Sequence, residues 1–203
     1  IIDGNTANLI LDRPGVHNAI NLEMIREIRQ AIEYLNKNQD LRAVVLTGSG
    51  KSFSAGVDLN WMKKISKQNR QERISEASEL SKMLFELDSL NKPLICRING
   101  QAFGGALGLI SCCDIVIAIE EAIFSLTEVV LGLLPATISP FVLKRIGASN
   151  ARRIMLNAYR FSAKEALQFG LISKVSEKRF ECSIDHFIRL VRLVLYLKAQ
   201  TIA

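Results

Sequence analysis

No apolar run in the sequence approaches the ~18–20 residues of a membrane-crossing helix, so no membrane partner is expected. Metal-binding spacing is also missing. The four cysteines (Cys96, Cys112, Cys113 and Cys182) form no C-x-x-C, and only His17 and His186 could add imidazole, so no metal site is expected. Three of those cysteines lie in apolar surroundings, which reads as reduced core cysteine in a cytosol-like, cytoplasmic compartment. The chain opens on Ile1 rather than Met, so a missing targeting segment, and with it a mitochondrial matrix location, stays open. Internal repeats, low-complexity tracts and linkers are lacking as well. A chain of 203 residues with 49% apolar content then reads as one domain with a sizeable core.

Net charge is +6, and part of that excess is local. Lys63, Lys64, Lys67, Arg70 and Arg73 fall in one short segment, either a solvated helix face or a landing strip for an anionic ligand. No recognition motif or interleaved aromatics accompany them, so nucleic acid is not expected as a partner.

Two small-residue corners carry the chemistry. The first follows the strand-like run Pro93–Ile98. The chain breaks at Asn99-Gly100, passes Gly104-Gly105-Ala106 and enters a helix-length apolar run from Leu107 to Cys113. Such a corner leaves backbone N–H groups without intrahelical partners, which suits an oxygen acquiring negative charge. A tight turn that needs Gly only for packing would look the same. The spacing fits neither the dinucleotide fingerprint nor a P-loop. The second corner is Phe53-Ser54-Ala55-Gly56-Val57-Asp58-Leu59, again after a β-branched strand, Arg42–Thr47. A carboxylate, Glu128, stands in the polar patch Ser125–Glu128 before another apolar run.

Between these points the chain alternates. Ala7–Leu11 reads as a strand, and Asn21 as the cap of a helix from Leu22 with Ile25, Ile28, Ile32 and Leu35 on one face. A helix is expected from about Arg70 to Leu90, with Leu80, Leu84 and Leu87 buried. Two more should run from Thr137 to Ile146, with Pro140 in the first turn, and from Ser149 to Leu156. Ser162–Glu165 is a capping box, Gly170 ends that helix, and Leu171–Val175 reads as a short strand. Ser183–Leu197 reads as a helix apolar on most sides. The alternation argues for an α/β architecture whose strand ends hold a ligand.

Taken together in order, these segments resemble the enoyl-CoA hydratase/isomerase (crotonase) family. The matches are Asp12-Arg13-Pro14 with Asn18-Ala19, FSAGVDL at 53–59, INGQAFGGALGL at 98–109, Cys113-Asp114, Phe124, Glu128, LGLLP at 131–135, and Arg160–Ala166 with Gly170-Leu171-Ile172. The resemblance implies a crotonase-like spiral of ββα units over residues 1–175 with a helical C-terminal region, 176–203, that looks incomplete. It implies an acyl-CoA thioester as partner and no cofactor beyond the coenzyme A of that substrate. It also implies a homotrimer or hexamer, and an enolate held by the N–H groups of Val57 and Gly105. Val57, Asp58, Leu59 and Asn60, with Gly105, would flank the substrate, although Asp58 reads more simply as a helix cap.

Family members with two glutamates place one where Gly108 stands here, which leaves Glu128 alone. A single base suffices to shuttle a proton between Cα and Cγ in a Δ3–Δ2 isomerisation. Hydration asks one carboxylate to serve both water and Cα. Even so, the segment Phe124–Pro140 is similar to hydratases acting on 3-methylglutaconyl-CoA and other branched or carboxylated enoyl esters. Hydratase is therefore the expectation, with isomerase second and a non-catalytic, RNA-binding family member as the reading from another class. A serine hydrolase is disfavoured, because no G-x-S-x-G is present.

Overall fold

The computed structural model describes residues 1–176. The expected tail helix at 183–197, together with Cys182 and His186, lies outside the described residues. Strand β1 (Ile2–Asp3) hairpins onto β2 (Thr6–Leu11), and helix α1 (Leu22–Lys37) follows a short 3-10 turn. Asn21 caps α1 as its position suggests, its Oδ1 accepting from the Met24 N–H. Ile25, Ile28, Ile32 and Leu35 are all buried.

A repeating unit then takes over. A longer strand leads through a bend into a three-residue strand and on to helix. The first turn is β3 (Ala43–Gly48), β4 (Ser52–Ser54), α2 (Leu59–Ser66) and α3 (Arg70–Asp88). The second is β5 (Leu94–Ile98), β6 (Gln101–Phe103) and α4 (Ala106–Ser111). The third is β7 (Ile115–Ile119), β8 (Ile123–Ser125), a 3-10 turn at Glu128–Leu131, and α5 (Ser139–Met155). Strand β9 (Phe161–Ser162), helix α6 (Ala163–Gln168) and strand β10 (Lys174–Ser176) close the described chain.

The long strands stack in the order β1-β2-β3-β5-β7-β10 and the short ones in the order β4-β6-β8-β9. Within each set the successive turns pair in parallel, β3 with β5 with β7 and β4 with β6 with β8. This is the spiral of ββα units that the sequence leads one to expect. Every residue of β3 is buried, as befits a central parallel strand covered on both faces.

The principal core lies where the two sheets and the helices meet, and includes Leu46, Phe53, Leu84, Cys96, Ile98 and Phe124. Val45, Ile95 and Ile117 form a second cluster. Phe124 stacks on Phe161 with ring centroids 5.6 Å apart, fixing β8 against β9. Cys96, Cys112 and Cys113 are buried free thiols, and burial pushes those of Cys112 and Cys113 up, which makes them poor nucleophiles.

Both expected helices in the 137–156 region exist, joined at Gly147, whose φ of 74° breaks the helical path. The Ser162–Glu165 capping box is formed on both sides. The five cations at 63–73 are exposed. Lys63 and Lys64 occupy the last turn of α2, where they complement the helix dipole, and Arg73 donates to the Gln68 carbonyl. Among the described residues, no helix is long and apolar enough to cross a membrane.

Candidate active site

The short sheet assembles the site. Because β4, β6 and β8 are parallel neighbours, their C-terminal ends open onto one edge. Each end delivers one element: residues 55–58 after β4, Gly104-Gly105 after β6, and Leu126–Glu128 after β8. Val57, Gly105 and Glu128 consequently line a single cavity of about 170 Å³.

The first corner is held at three points by the segment before α1 and at a fourth by Ser54 at the end of β4. The Ala55 N–H donates to the His17 carbonyl at 2.8 Å, the Ile20 N–H to the Gly56 carbonyl at 2.7 Å, and the Asp58 N–H to the Ile20 carbonyl at 2.9 Å. The Gly56 N–H donates to Ser54 Oγ at 3.1 Å. Among the described residues, the Val57 N–H alone in this run is left without a protein acceptor, and the Gly105 N–H is likewise unpaired. The two groups are close neighbours. A Cβ on Gly105 would lie 3.5 Å from Val57 N, and one on Gly56 would lie 3.0 Å from Gly105 N and 2.5 Å from the Phe103 carbonyl oxygen. Only a side-chain-free backbone permits that approach, and Gly56 also has a φ of +85°.

Glu128 opens the 3-10 turn after β8. Its carboxylate rests against the bare backbone of Gly104, where a Cβ would come within 3.1 Å of Oε1 and 3.2 Å of Thr127 Oγ1. The residue is partly exposed overall, yet its Oε2 is shut off from solvent and has no hydrogen-bond partner. Burial raises the carboxyl above its ordinary range, and the nearby N–H groups of Glu128 and Thr127 only partly offset this. A buried polar atom left unpaired costs stability, and this one belongs to a residue that lines the cavity.

The other described walls are apolar apart from Thr137, and include Trp61, Met62, Ile65, Leu80, Leu133 and Ile138. Ile138 explains the missing second carboxylate. A Cβ on Gly108 would sit 2.5 Å from Ile138 Cγ2 and 3.0 Å from Ile138 Cβ, so this side chain fills the space into which residue 108 would project. Gly108→Ala should therefore cost about 1–3 kcal/mol in chemical denaturation through overpacking, with Ile138→Ala recovering part of the loss in the double variant.

Asp58, Leu59 and Asn60, also expected to flank the substrate, are not among the residues that line the cavity. The Asp58 carboxylate is a helix cap, accepting from the Asn60 N–H at 2.9 Å and the Trp61 N–H at 3.4 Å, and it also pairs with Arg13 at 3.1 Å. Burial works against its ionisation, but these donors together hold the carboxyl below its ordinary range. Leu59 and Asn60 are exposed at the start of α2 and are not part of the cavity wall. His17 contacts Ser52 at 2.9 Å, but Ser52 is buried and neither residue lines the cavity, which gives no support to a nucleophilic serine there. Sequence reasoning passed over Trp61, whose indole N–H donates to Glu76 at 2.7 Å and so ties α2 to α3.

Comparison with known proteins gives this geometry a lineage. The family model for enoyl-CoA hydratase/isomerase matches residues 2–191. The chain belongs to the enoyl-CoA hydratase/isomerase family. A crystal structure of an enoyl-CoA hydratase from Shewanella pealeana is similar, with a TM-score of 0.91 and 42% identity over 94% of this chain and 72% of that one. A peroxisomal Delta(3,5)-Delta(2,4)-dienoyl-CoA isomerase of Arabidopsis thaliana is 35% identical, covering 88% of this chain and 68% of its own length. A mitochondrial enoyl-CoA hydratase of Pongo abelii is 37% identical over 84% of this chain, which spans 58% of that relative. Hydratases and an isomerase thus stand among the relatives of this family member.

Proposed function

We propose that the chain forms the catalytic core of an enoyl-CoA hydratase in which the Val57 and Gly105 N–H groups bind the thioester carbonyl oxygen and Glu128 moves the proton. The observation that carries this reading is the convergence of two unpaired N–H groups and one unpaired buried carboxylate oxygen in one apolar cavity. As a water oxygen bonds to Cβ, Glu128 accepts the water's proton and the α,β double-bond electrons move toward the carbonyl, giving an enolate. The two backbone donors stabilise the charge on its oxygen, and donors of this kind are each worth ~3–4 kcal/mol. Glu128 then returns the proton to Cα, the enolate collapses, and the carboxylate is regenerated.

The walls favour a short, branched or linear apolar acyl group. Among the described lining residues none is cationic, so a carboxylated acyl chain such as 3-methylglutaconyl would find no countercharge there. The exposed Lys63 and Lys64 follow the wall residue Met62 in α2 and would offer positive charge to the coenzyme A phosphates.

One observation favours a second reading. With Ile138 filling the space beside Gly108, Glu128 is the single carboxylate among the described lining residues, which is all that a Δ3–Δ2 isomerase needs. The likeness of residues 124–140 to hydratases supports the first. The purified protein should be assayed against crotonyl-CoA, 3-methylglutaconyl-CoA and a 3-enoyl-CoA, with products identified by mass. A gain of one water on an α,β-enoyl ester supports the hydratase. An unchanged mass with a shifted double bond, from the 3-enoyl ester alone, selects the isomerase.

Either chemistry starts from the Glu128 carboxylate. Because burial raises this group, kcat should fall as pH drops through a value above the ordinary glutamate range, with a limiting slope of one proton, in a pH–rate profile.

A further inference from the structure

We propose that Arg13, Asn18 and Asp58 are positioning residues that hold the Val57 N–H unpaired and directed into the cavity, a role that rests on the reading above of Val57 as an oxyanion donor. None of the three lines the cavity, and all three converge on the corner that presents Val57.

Asn18 is completely buried and uses its whole amide. Its Nδ2 donates to the carbonyls of Ser49, Ser52 and Phe53 at 2.9, 2.9 and 3.1 Å, and its Oδ1 accepts from the Arg13 N–H at 2.8 Å. Its own carbonyl accepts from Ser54 Oγ at 2.8 Å, and that oxygen accepts from the Gly56 N–H. The Asn18 side chain therefore fixes β4, and its carbonyl, through Ser54, the first peptide of the corner, relative to the turn at residues 13–18. Arg13 closes the far end. Its Nη1 donates both to the Ala19 carbonyl and to Asp58 Oδ2, joining the incoming segment to the N-cap of α2. Between these anchors the Ile20–Val57 bridge engages the N–H of Asp58 and the carbonyl of Gly56, and Val57 N–H is the donor passed over. If the corner relaxed by a fraction of a peptide rotation, the Val57 N–H would swing toward the carbonyls around it and away from the cavity.

Such a role separates from plain structural support by what it does to a charged ligand against a neutral one. Acetoacetyl-CoA binds an oxyanion site as its enolate, with a near-UV absorbance change, whereas butyryl-CoA offers only a neutral carbonyl. Arg13 is part-exposed, so Arg13→Gln is the variant of choice, with Arg13→Lys as the conservative rescue. Expected for Arg13→Gln is a loss of about 10-fold or more in enolate affinity and in kcat, with butyryl-CoA affinity and KM within about 2-fold, and a partial return in Arg13→Lys. Equal weakening of both ligands, or of neither, overturns the proposal.

Amide hydrogen exchange in the ligand-free full chain separates this proposal from the enzymatic one. Arg13→Gln should speed exchange at Ala55, Gly56 and Asp58 by about 10-fold or more relative to the amides of β5. Unchanged exchange there overturns the positioning role. Failure of the wild-type protein to bind either ester, with the exchange difference present, would instead discard the oxyanion reading.

Discussion

Glu128→Gln is expected to lower kcat by about 10³-fold or more while leaving butyryl-CoA affinity within a few-fold, measured by steady-state kinetics and equilibrium binding. The substitution keeps the shape of the side chain and removes only its ability to carry the proton. The proposed Val57 and Gly105 donors and the apolar walls remain, so ester binding should persist. The same change should raise the melting temperature, and the sign follows from the direction of the shift. Burial raises the folded-state value of Glu128, so the folded protein holds its proton more tightly than the unfolded chain does. This group's contribution to stability therefore declines as pH climbs from the ordinary glutamate range through the raised value. Above that window the buried carboxylate is a constant cost, which glutamine lacks. Lower activity with a higher melting temperature is the pattern of a residue kept for chemistry at the expense of stability. A lower melting temperature would place Glu128 among the structural residues instead.

Gly56→Ala carries the second largest effect, because two independent penalties fall on the same atoms. At a φ of +85° an alanine is strained whatever space surrounds it, at about 1–3 kcal/mol. Its Cβ would also meet the Phe103 carbonyl oxygen at 2.5 Å and Gly105 N at 3.0 Å, both backbone atoms that cannot swing aside. Relief requires the corner after β4 to move away from the corner after β6, which separates the two N–H groups that should share one oxygen. The expected outcome is a loss of about 2–5 kcal/mol in denaturant titration, and a kcat lowered by about 10²-fold in whatever fraction folds. Gly15→Ala is the internal control, since nothing lies within 4 Å of its Cβ position and its φ is not in the left-handed region. That variant should stay within about 0.5 kcal/mol of the parent.

Local chemistry made much of this fold readable. Asn21 before Leu22 and Ser162 three residues before Glu165 are capping signals whose hydrogen bonds form within one turn, and both helices begin where those residues place them. Gly147 separates the two segments of α5 for an equally local reason, its positive φ. The short sheet was not readable in the same way. Strands of three residues, Ser52–Ser54, Gln101–Phe103 and Ile123–Ser125, are too brief to display an alternation, and they exist because neighbouring turns of the spiral supply their hydrogen bonds. Yet these strands bring the site together. The sequence could mark Val57, Gly105 and Glu128 through small residues and family likeness, but their meeting at one sheet edge depends on pairings about 50 and 20 residues apart in the chain.

Gly108 shows a similar limit. Its lack of a carboxylate is plain in the sequence, whereas its reason, the Ile138 side chain occupying the space, is visible only in three dimensions. Asn18 and Arg13 stood in the sequence as parts of a motif with no stated task. Their spacing around Pro14-Gly15 signals a turn, and nothing in it names the carbonyls at 49, 52 and 53 that Asn18 binds.

In the proposed chemistry two backbone donors and Glu128 make and unmake an acyl-CoA enolate, whichever enoyl reaction follows. Incubating butyryl-CoA with the protein in D₂O and locating the deuterium by NMR tests this most directly, because exchange at Cα requires an enolate and nothing else. The expected result is protein-dependent uptake of deuterium at Cα, abolished in Glu128→Gln. No uptake with the wild-type protein, or equal uptake with the variant, would contradict it.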